Sequence, residues 1–377
     1  MTFTVEQRHL IDLVREITLK EIAPRADEWE RAGEFPRPAF DALGRAGLLG
    51  LVYPEEYGGG AQPHTVYLAA LEELARGLLS VGLGTSVQTL TIFPGFAYGT
   101  DAQRAQWMPP ACAGEWIGSY CLSEPESGSD AASLSTRATR EGDSYIINGR
   151  KAWVTHGGVS DYYIVFARTG DDGARGISCF FVPASAPGLE CAKVEHKMGM
   201  QSSPTSQMVF DDVRIPVTNL IGHEGQGFEI AMAALDGGRL GIAACSVGLA
   251  QAALDAAVKF ASEREQFGRP VIQFEGLAFM LSDMATQVEA ARSLTRAAAE
   301  RRDAGEPFAK QAAMAKLFAS DTAMRVTTDS VQIHGGYGYV NEFPVERYMR
   351  EAKVLQIVEG TNQIQRLVIS RALSRPS

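Results

Sequence analysis

Ser144-Tyr-Ile-Ile-Asn-Gly-Arg-Lys-Ala-Trp-Val-Thr155 is the stretch that decides the fold of this chain. Its apolar side chains recur with the period of two that is typical of a β-strand, and Asn148-Gly149 is typical of a two-residue hairpin turn. Further strands are predicted at 162–167, 177–182 and 207–215. The sequence therefore predicts a small antiparallel β domain, a barrel or sandwich, that begins near residue 118 and ends near residue 228.

Helical spacing of apolar residues flanks this β region on both sides. Before it, Thr4 is predicted to cap the first helix and Asp101 to cap a helix over 103–112. After it, long helices are predicted at 240–263, 277–304, 308–333 and 346–357. The prediction is an α+β protein with an N-terminal all-α domain (1–117), a middle β domain (118–228) and a C-terminal four-helix bundle (229–377).

Charge and composition narrow the classes of function. The formal net charge is -10 and the basic residues are scattered, which argues against a nucleic-acid partner. Five widely spaced cysteines predict neither a disulfide framework nor a zinc site. With no leader pattern and no apolar run of about 20 residues, a cytoplasmic protein without a membrane span is expected. A mature mitochondrial matrix protein would have the same features.

Three segments suit a planar or phosphate-bearing ligand. Tyr120-Cys-Leu-Ser-Glu-Pro-Glu-Ser-Gly-Ser-Asp130 offers small side chains and exposed N–H groups, although an ordinary surface loop has the same composition. In Trp153-Val-Thr-His-Gly-Gly158 the indole can stack on a planar group, but a core Trp is commoner. Ser262-Glu-Arg-Glu-Gln-Phe-Gly-Arg-Pro270 is predicted to end a helix at Gly268 and Pro270. There Arg264 either binds a pyrophosphate or caps helix carbonyls, and spacing alone leaves both open.

Two further segments lie near the C-terminus. In Val331-Gln-Ile-His-Gly-Gly-Tyr-Gly-Tyr339, glycines permit close approach of a ligand or a tight turn between helices, and His334 has no neighbour at metal-ligand spacing. In Gln356-Ile-Val-Glu-Gly-Thr-Asn-Gln-Ile-Gln-Arg366, Glu359 follows an apolar stretch and precedes a helix-breaking Gly. Burial would raise its pKa towards neutrality, as a general base requires, and a solvated helix-end Glu is the alternative. No metal site is predicted.

Together and in this order, the five segments resemble the acyl-CoA dehydrogenase family from Thr4 to Arg371. The resemblance implies an FAD-dependent oxidoreductase of fatty acid or branched-chain catabolism, with acyl-CoA as substrate. It further implies electron-transfer flavoprotein as the electron acceptor and a homotetramer built as a dimer of dimers. Glu359 would remove the α-proton while the β-hydride passes to flavin N5, which gives a trans-2-enoyl-CoA. The backbone N–H of Glu359 and a ribityl hydroxyl of FAD would hold the thioester carbonyl.

The same resemblance implies the site residues. FAD contacts are expected at Tyr120, Leu122, Ser123, Ser129, Trp153, Thr155, Arg264, Gln266, Phe267, Gln332, Gly335, Gly336, Thr361 and Gln363. Those from Arg264 to Phe267 and from Gln332 to Gly336 would reach the FAD of a second subunit. Substrate contacts are expected at Ser129, Asp236, Arg239 and Gly360.

The stretch Asp236-Gly-Gly-Arg239 is predicted to open the first long C-terminal helix, with an ordinary surface ion pair as the alternative. Some branches of the family carry the catalytic Glu at the position of Gly238, so Glu359 is the motif-matched base. Val358 is less bulky than the Tyr common in straight-chain enzymes and favours a branched acyl group. Three alternatives stay open: a flavin oxidase of the same fold, a flavin monooxygenase, and a non-catalytic flavin-binding relative. The first is expected to be longer and the others to lack Glu359.

Overall fold

The N-terminal third of the protein is helical. A computed structural model describes residues 3–171 and 173–374. The first six helices are α1 (Val5–Ile17), α2 (Ala26–Ala32), α3 (Arg37–Arg45), α4 (His64–Gly77), α5 (Leu79–Tyr98) and α6 (Asp101–Cys112). Thr4 caps α1 as predicted, because its Oγ1 accepts from the Gln7 N–H. The predicted cap of α6 is wrong: Thr100 is the capping residue and Asp101 is the first helical residue.

The middle region is one eight-stranded sheet. Its strands are β1 (Gly118–Cys121), β2 (Arg137–Glu141), β3 (Ser144–Thr155), β4 (Tyr162–Arg168), β5 (Ile177–Pro183), β6 (Leu189–Val194), β7 (Thr205–Pro216) and β8 (Leu220–Ile221). The strand order is β6-β7-β3-β2-β4-β5-β8, and β1 lies beside β4. The middle β domain is confirmed, but it is not purely antiparallel, since β1 and β2 both pair with β4 in parallel.

The predicted hairpin turn at Asn148-Gly149 is wrong. β3 continues through both residues, and its register against β7 shifts between Ile147 and Gly149, which marks a β-bulge. Asn148 is held across the strands by Asp212, whose backbone N–H donates to Asn148 Oδ1 at 2.8 Å. The turn that joins β2 to β3 lies at residues 142 and 143, where Gly142 has a φ of 62°.

Both faces of strand β4 are buried. Along β4, Tyr162, Ile164 and Phe166 pack towards the helices with Trp107 of α6. The intervening residues, such as Tyr163 and Val165, face a second apolar cluster between the strands. This alternation follows from the period of two of a strand and attaches the sheet firmly to the helical region.

Five helices form the C-terminal region. They are α7 (Gly227–Glu263), α8 (Glu275–Asp303), α9 (Ala309–His334), α10 (Val345–Leu355) and α11 (Asn362–Leu373). A two-stranded hairpin of β9 (Glu265–Gln266) and β10 (Arg269–Pro270) joins α7 to α8. α7 packs against α8 and α9 and also against α4 and α5 of the N-terminal region. The predicted start of α7 is wrong, because Asp236 and Arg239 lie inside this helix and not at its first turn.

α7 is long and apolar enough to meet the length and hydropathy criteria of a membrane-spanning helix. In the described residues it is the one helix that does so, and 78% of its most apolar window is buried within the protein. Its apolar surface is therefore accounted for by packing against the surrounding helices.

Candidate functional site

Two of the predicted ligand segments lie side by side at the edge of the sheet. The Ala152 N–H donates to the Ser123 carbonyl at 2.9 Å. Ser119 Oγ donates to the Thr155 carbonyl at 2.7 Å. The structure therefore brings β1, with Tyr120, and the segment that follows it, with Leu122, against the end of β3.

A buried ion pair fixes the backbone of the first segment. Lys151 Nζ donates to Glu124 Oε1 at 2.8 Å and to the Leu122 carbonyl at 3.1 Å. Glu124 also accepts from the N–H groups of Ser135 and Thr136. Burial disfavours the carboxylate, but Lys151 and these hydrogen bonds outweigh it and lower the pKa of Glu124 to about 2. The loop thus has a defined conformation before any ligand binds.

Trp153 is not a core residue. Its φ is 60°, and the register of β3 against β7 shifts between Lys151 and Val154. A bulge of this kind turns a side chain away from its regular face, and the Trp153 indole is 62% exposed. The ring is available to stack on a planar ligand beside Thr155.

Glu359 lies in the connection between α10 and α11. Although the residue keeps some exposure, both carboxylate oxygens are buried and have no hydrogen-bond partner among the described residues. The carboxylate rests on α7: a methyl group built at Gly238 would lie 1.9 Å from Glu359 Oε2. Gly238 therefore leaves the space that this carboxylate occupies.

The surroundings of Glu359 favour proton transfer near neutral pH. Burial raises the pKa of Glu359 to about 7, against the opposing effect of the Lys316 and Arg239 cations. In the described part of the chain, its backbone N–H donates to no protein acceptor. A base poised near neutrality and a free N–H donor suit the removal of a proton next to a carbonyl.

Asp236 and Arg239 lie on α7 near this carboxylate. Arg239 is buried and donates from Nη1 to Asp236 Oδ1 at 2.5 Å, so the surface-pair alternative does not describe it. Arg239 Nε has no partner in residues 3–171 and 173–374. Burial raises the pKa of Asp236, although Arg239 and Arg302 oppose the rise.

Tyr120 connects the sheet to this part of α7. Its hydroxyl lies 3.4 Å from the Ala231 carbonyl, and the charge of Glu359 contributes to raising its pKa, after burial. The predicted contacts on β1, on α7 and at Glu359 therefore converge on one region. Gly360 and Thr361 follow Glu359 directly, and Thr361 Oγ1 caps α11. Ser129 and Gln363 are exposed.

The remaining predicted cofactor contacts lie elsewhere on the chain. The predicted helix end at Gly268 and Pro270 is wrong: α7 ends at Glu263, and Phe267 and Gly268 form a turn with φ of 52° and 78°. Phe267 is 95% exposed. At a rise of 1.5 Å per residue, Arg264 is roughly 38 Å along α7 from Arg239.

A second cluster of predicted contacts forms at this distal end. The Arg264 guanidinium lies 5.6 Å from the centre of the Tyr337 ring, in the segment that contains Gly335 and Gly336. Both glycines face open space, and Gln266 and Gln332 are exposed. Within one chain, these residues do not reach the Glu359 region.

The residues around Glu359 fit a flavin. Trp153 presents an exposed ring, the Ser123 to Ser129 loop is held rigidly, and Gly128 faces open space that a larger side chain would fill. No group of acidic, His or Cys residues in the described ranges has the arrangement of a metal site. The His334 ring is stacked on the Phe260 ring, with 4.4 Å between the ring centres, as expected for a histidine that packs and does not bind a metal. When bound, FAD would supply a hydride acceptor.

Sequence reasoning missed two residues that contact this region. Lys316 of α9 is fully buried, and its signal was present: it is a lysine in the apolar stripe that contains Ala312, Ala313 and Ala319. Tyr67 of α4 is buried, and the charge of Glu359 is among the causes that raise its pKa, after burial. Tyr67 gives no comparable signal, because buried tyrosines in helices are common.

The buried carboxylate of Glu359 predicts a pH-dependent effect of Glu359→Gln on stability. Its pKa is about 7 in the folded chain and near 4.5 unfolded, so its contribution to stability is complete below about 4.5 and is lost as pH rises through 7. Glutamine does not titrate, and the variant should gain about 3 kcal/mol relative to the parent above pH 7 and nothing near pH 4.5. Urea unfolding at several pH values measures this difference. A gain that is the same at every pH would contradict it.

Three family models match the chain in order. They are described as acyl-CoA dehydrogenase, N-terminal domain (residues 4–115), middle domain (119–213) and C-terminal domain (225–374). The matches together span nearly the whole chain.

Similar proteins carry related names. The mitochondrial short-chain specific acyl-CoA dehydrogenase of Rattus norvegicus is 45% identical over 96% of this chain and 88% of its own length. The structure of butyryl-CoA dehydrogenase from Megasphaera elsdenii is 42% identical, covers 100% of both chains and has a TM-score of 0.97. A chain in a structure described as the electron transferring flavoprotein of Acidaminococcus fermentans is 45% identical over 100% of both chains, with a TM-score of 0.98.

Proposed function

The chain belongs to the acyl-CoA dehydrogenase family, and from that premise we propose that Glu359 is its catalytic base and that its substrate is a short acyl-CoA thioester. As a member of the family it is an FAD-dependent oxidoreductase that dehydrogenates acyl-CoA. The observation that carries the proposal is the buried Glu359 carboxylate, whose two oxygens have no hydrogen-bond partner within residues 3–171 and 173–374.

The side chains and backbone at the site have distinct parts in this reaction. The Glu359 carboxylate takes the α-proton, since it is the buried base with free lone pairs. The Glu359 N–H is available to bind the thioester carbonyl oxygen as negative charge develops on it. Tyr120, Trp153 and Thr155 would hold the flavin beside the substrate, and FAD supplies the hydride acceptor.

Asp236, Arg239, Gly360 and Ser129 are proposed to contact the substrate. Asp236 and Arg239 lie on the helix against which the Glu359 carboxylate packs. Gly360 follows the base directly, and Ser129 is at the exposed margin of the flavin loop. These positions would allow them to bind the CoA arm on its way to the base.

A second subunit would complete the cofactor site. Arg264 and Phe267 are exposed beyond the end of α7, and Arg264 is roughly 38 Å along this helix from Arg239. Gln332, Gly335 and Gly336 lie near Arg264 and are also exposed. An exposed guanidinium fork and an exposed aromatic ring suit a pyrophosphate and an adenine. We therefore propose a homotetramer built from two dimers, in which both subunits of a dimer contribute residues to each FAD site. Electron-transfer flavoprotein is the proposed acceptor of the electrons from the reduced flavin. A cytoplasmic or mitochondrial matrix location is proposed for the enzyme.

Close packing beside Glu359 supports a short acyl group. One turn beyond Gly238 on α7, a methyl group at Gly241 would lie 2.1 Å from Ser86 Oγ of α5 and 3.5 Å from Leu71 Cδ1 of α4. The rise from Gly238 to Gly241 is about 4.5 Å. We infer that this close packing of α7 against α4 and α5 leaves room for only a few methylene groups on this side of the base, in agreement with the names of the similar proteins.

We expect butyryl-CoA and isobutyryl-CoA to reduce the enzyme-bound flavin best. Octanoyl-CoA and palmitoyl-CoA should have kcat/KM values lower by at least about tenfold, because α4 and α5 close the pocket. Anaerobic bleaching of the purified yellow protein measures each rate, and isobutyryl-CoA tests the branched preference suggested by Val358. Equal rates with octanoyl-CoA would contradict the short pocket. No bleaching with any acyl-CoA would contradict the assigned reaction.

A further inference from the structure

Lys316 is a fully buried lysine beside the proposed base. It lies on α9 with 0% exposure, and Ala312, Ala313 and Ala319, three or four residues away on the same helix, are buried as well. Burial of an ammonium group is unfavourable unless partners compensate for its lost hydration. The partners of Lys316 therefore indicate why it is there.

Both hydrogen-bond partners of Lys316 belong to the segment that follows Glu359. Lys316 Nζ donates to the Gly360 carbonyl and to Asn362 Oδ1, each at 2.9 Å. The Gly360 carbonyl also accepts from Gln365 Nε2 at 2.8 Å. The peptide directly after the base is thus held by two donors from two different helices, α9 and α11.

The backbone at this point has an unusual conformation. Glu359 has a φ of 51° and Gly360 a φ of 86°, so two consecutive residues are in the left-handed region. This conformation is unfavourable for Glu359 because it has a Cβ, and it persists only where surrounding contacts enforce it. Lys316 provides one of those contacts and so determines where the Glu359 carboxylate and N–H point.

Further bonds join the same segment to α9. Asn362 Nδ2 donates to Ser320 Oγ at 3.0 Å and to Asp321 Oδ1 at 2.7 Å. Gln356 Nε2, before the base, also donates to Asp321 Oδ1 at 2.7 Å. Hydrogen bonds from α9 therefore fix the position of the connection between α10 and α11.

Charges face Glu359 from several elements. Lys316 of α9 and Arg239 of α7 are the cations that lower its pKa. Tyr67 of α4, Tyr120 of β1 and Cys245 of α7 also interact with it, and burial holds their pKa values high, so they are neutral.

Lys316 titrates close to the range in which the base works. Burial lowers the pKa of Lys316 to about 8, while Glu359 and Asp321 oppose this and Arg239 adds to it. Neither Glu359 carboxylate oxygen accepts a hydrogen bond from Lys316 or from any other described residue, so the cation acts through space and through the shared backbone.

We propose that Lys316 is a positioning residue that fixes the left-handed Glu359-Gly360 turn and supplies the cation that keeps the Glu359 carboxylate ionised at neutral pH. The inference rests on the proposed role of Glu359. It adds a residue from a separate helix, which the family motifs around the base do not contain.

The test measures the protonation of Glu359 directly in the FAD-loaded enzyme. Infrared difference titration, with Glu359→Gln to identify the carboxyl band, should give a midpoint near 7 for the parent. In Lys316→Met the midpoint should rise by about one pH unit or more, because a nearby cation is lost. Flavin reduction at pH 7 should then fall about fivefold or more, since a smaller share of the base is ionised.

Matched variants separate this role from a general structural one. Lys316→Arg keeps the charge and the donors, so its midpoint should lie close to that of the parent. Lys310→Met, on the same helix, should leave the midpoint unchanged. If Lys316→Met does not retain FAD, Lys316→Gln is titrated in its place. An unshifted midpoint in a folded, FAD-loaded neutral variant overturns the proposal. If Glu359→Gln reduces its flavin as fast as the parent, the proposed role of Glu359 as base is wrong. The infrared titration would still show whether Lys316 shifts the pKa of Glu359.

Discussion

Glu359→Gln will retain FAD and lose flavin reduction by acyl-CoA by at least about three orders of magnitude. A positioned general base contributes about 10²–10⁴ in rate, and the upper part of that range is expected where no second base can take over. The amide keeps the size of the side chain and cannot accept the α-proton. Because the carboxylate oxygens accept no hydrogen bond from the part of the chain that the structure describes, the substitution breaks no such bond and the fold should survive.

Anaerobic stopped-flow reduction with a saturating short acyl-CoA measures this loss. Glu351→Gln is the matched control, because Glu351 of α10 is also buried and burial raises its pKa to about 7, although Arg347 opposes the rise. Glu351 pairs with Arg347 and is not part of the proposed site. The control should reduce within a few-fold of the parent. Reduction of Glu359→Gln near the parental rate would mean that another group takes the proton.

Local sequence predicted where Glu359 lies but left the burial of its carboxylate open. A Glu between an apolar stretch and a Gly, just before Thr361, lies in the connection between α10 and α11, and its carboxylate is buried against Gly238 of α7, a contact that local sequence does not show. The α, β, α order was predictable for the same reason, since the change of period near residue 118 is a local signal.

The errors arise where distant contacts override local preference. Asn148-Gly149 has the composition of a hairpin turn, but pairing of Asn148 with Asp212 of β7 keeps β3 continuous through a bulge. Two glycines after Asp236 resemble a helix start, but both lie within α7. They are small because the Arg302 guanidinium and the Glu359 carboxylate occupy the space beside them. Neither partner can be identified from spacing along the chain.

Lys316 shows the same limit at the site itself. Its position in an apolar stripe indicates burial, but nothing local shows that its partners are Gly360 and Asn362 on a later segment. The cofactor contacts at Arg264 have a related limit, because their proposed ligand belongs to a site that one chain does not form.

Gly238→Ala will leave the fold intact and lower flavin reduction by about a hundredfold. The added methyl group would lie 1.9 Å from Glu359 Oε2, so the carboxylate must move. The side-chain end can rotate, and Ala is a better helix former than Gly, so stability should not fall appreciably. A base displaced by about 1 Å loses the aligned geometry that proton transfer requires, which is worth about 10²-fold.

The neighbouring glycine provides the matched control for this substitution. A methyl group at Gly237 would meet only the flexible guanidinium end of Arg302, at 2.4 Å from Nη1, and Gly237→Ala should reduce within a few-fold of the parent. Both variants receive the same gain in helix propensity, so a difference between them isolates the contact with Glu359. Stopped-flow reduction and thermal unfolding of the two FAD-loaded variants provide the measurement. If Gly238→Ala and Gly237→Ala reduce equally fast, the Glu359 carboxylate does not act from the position it occupies against α7.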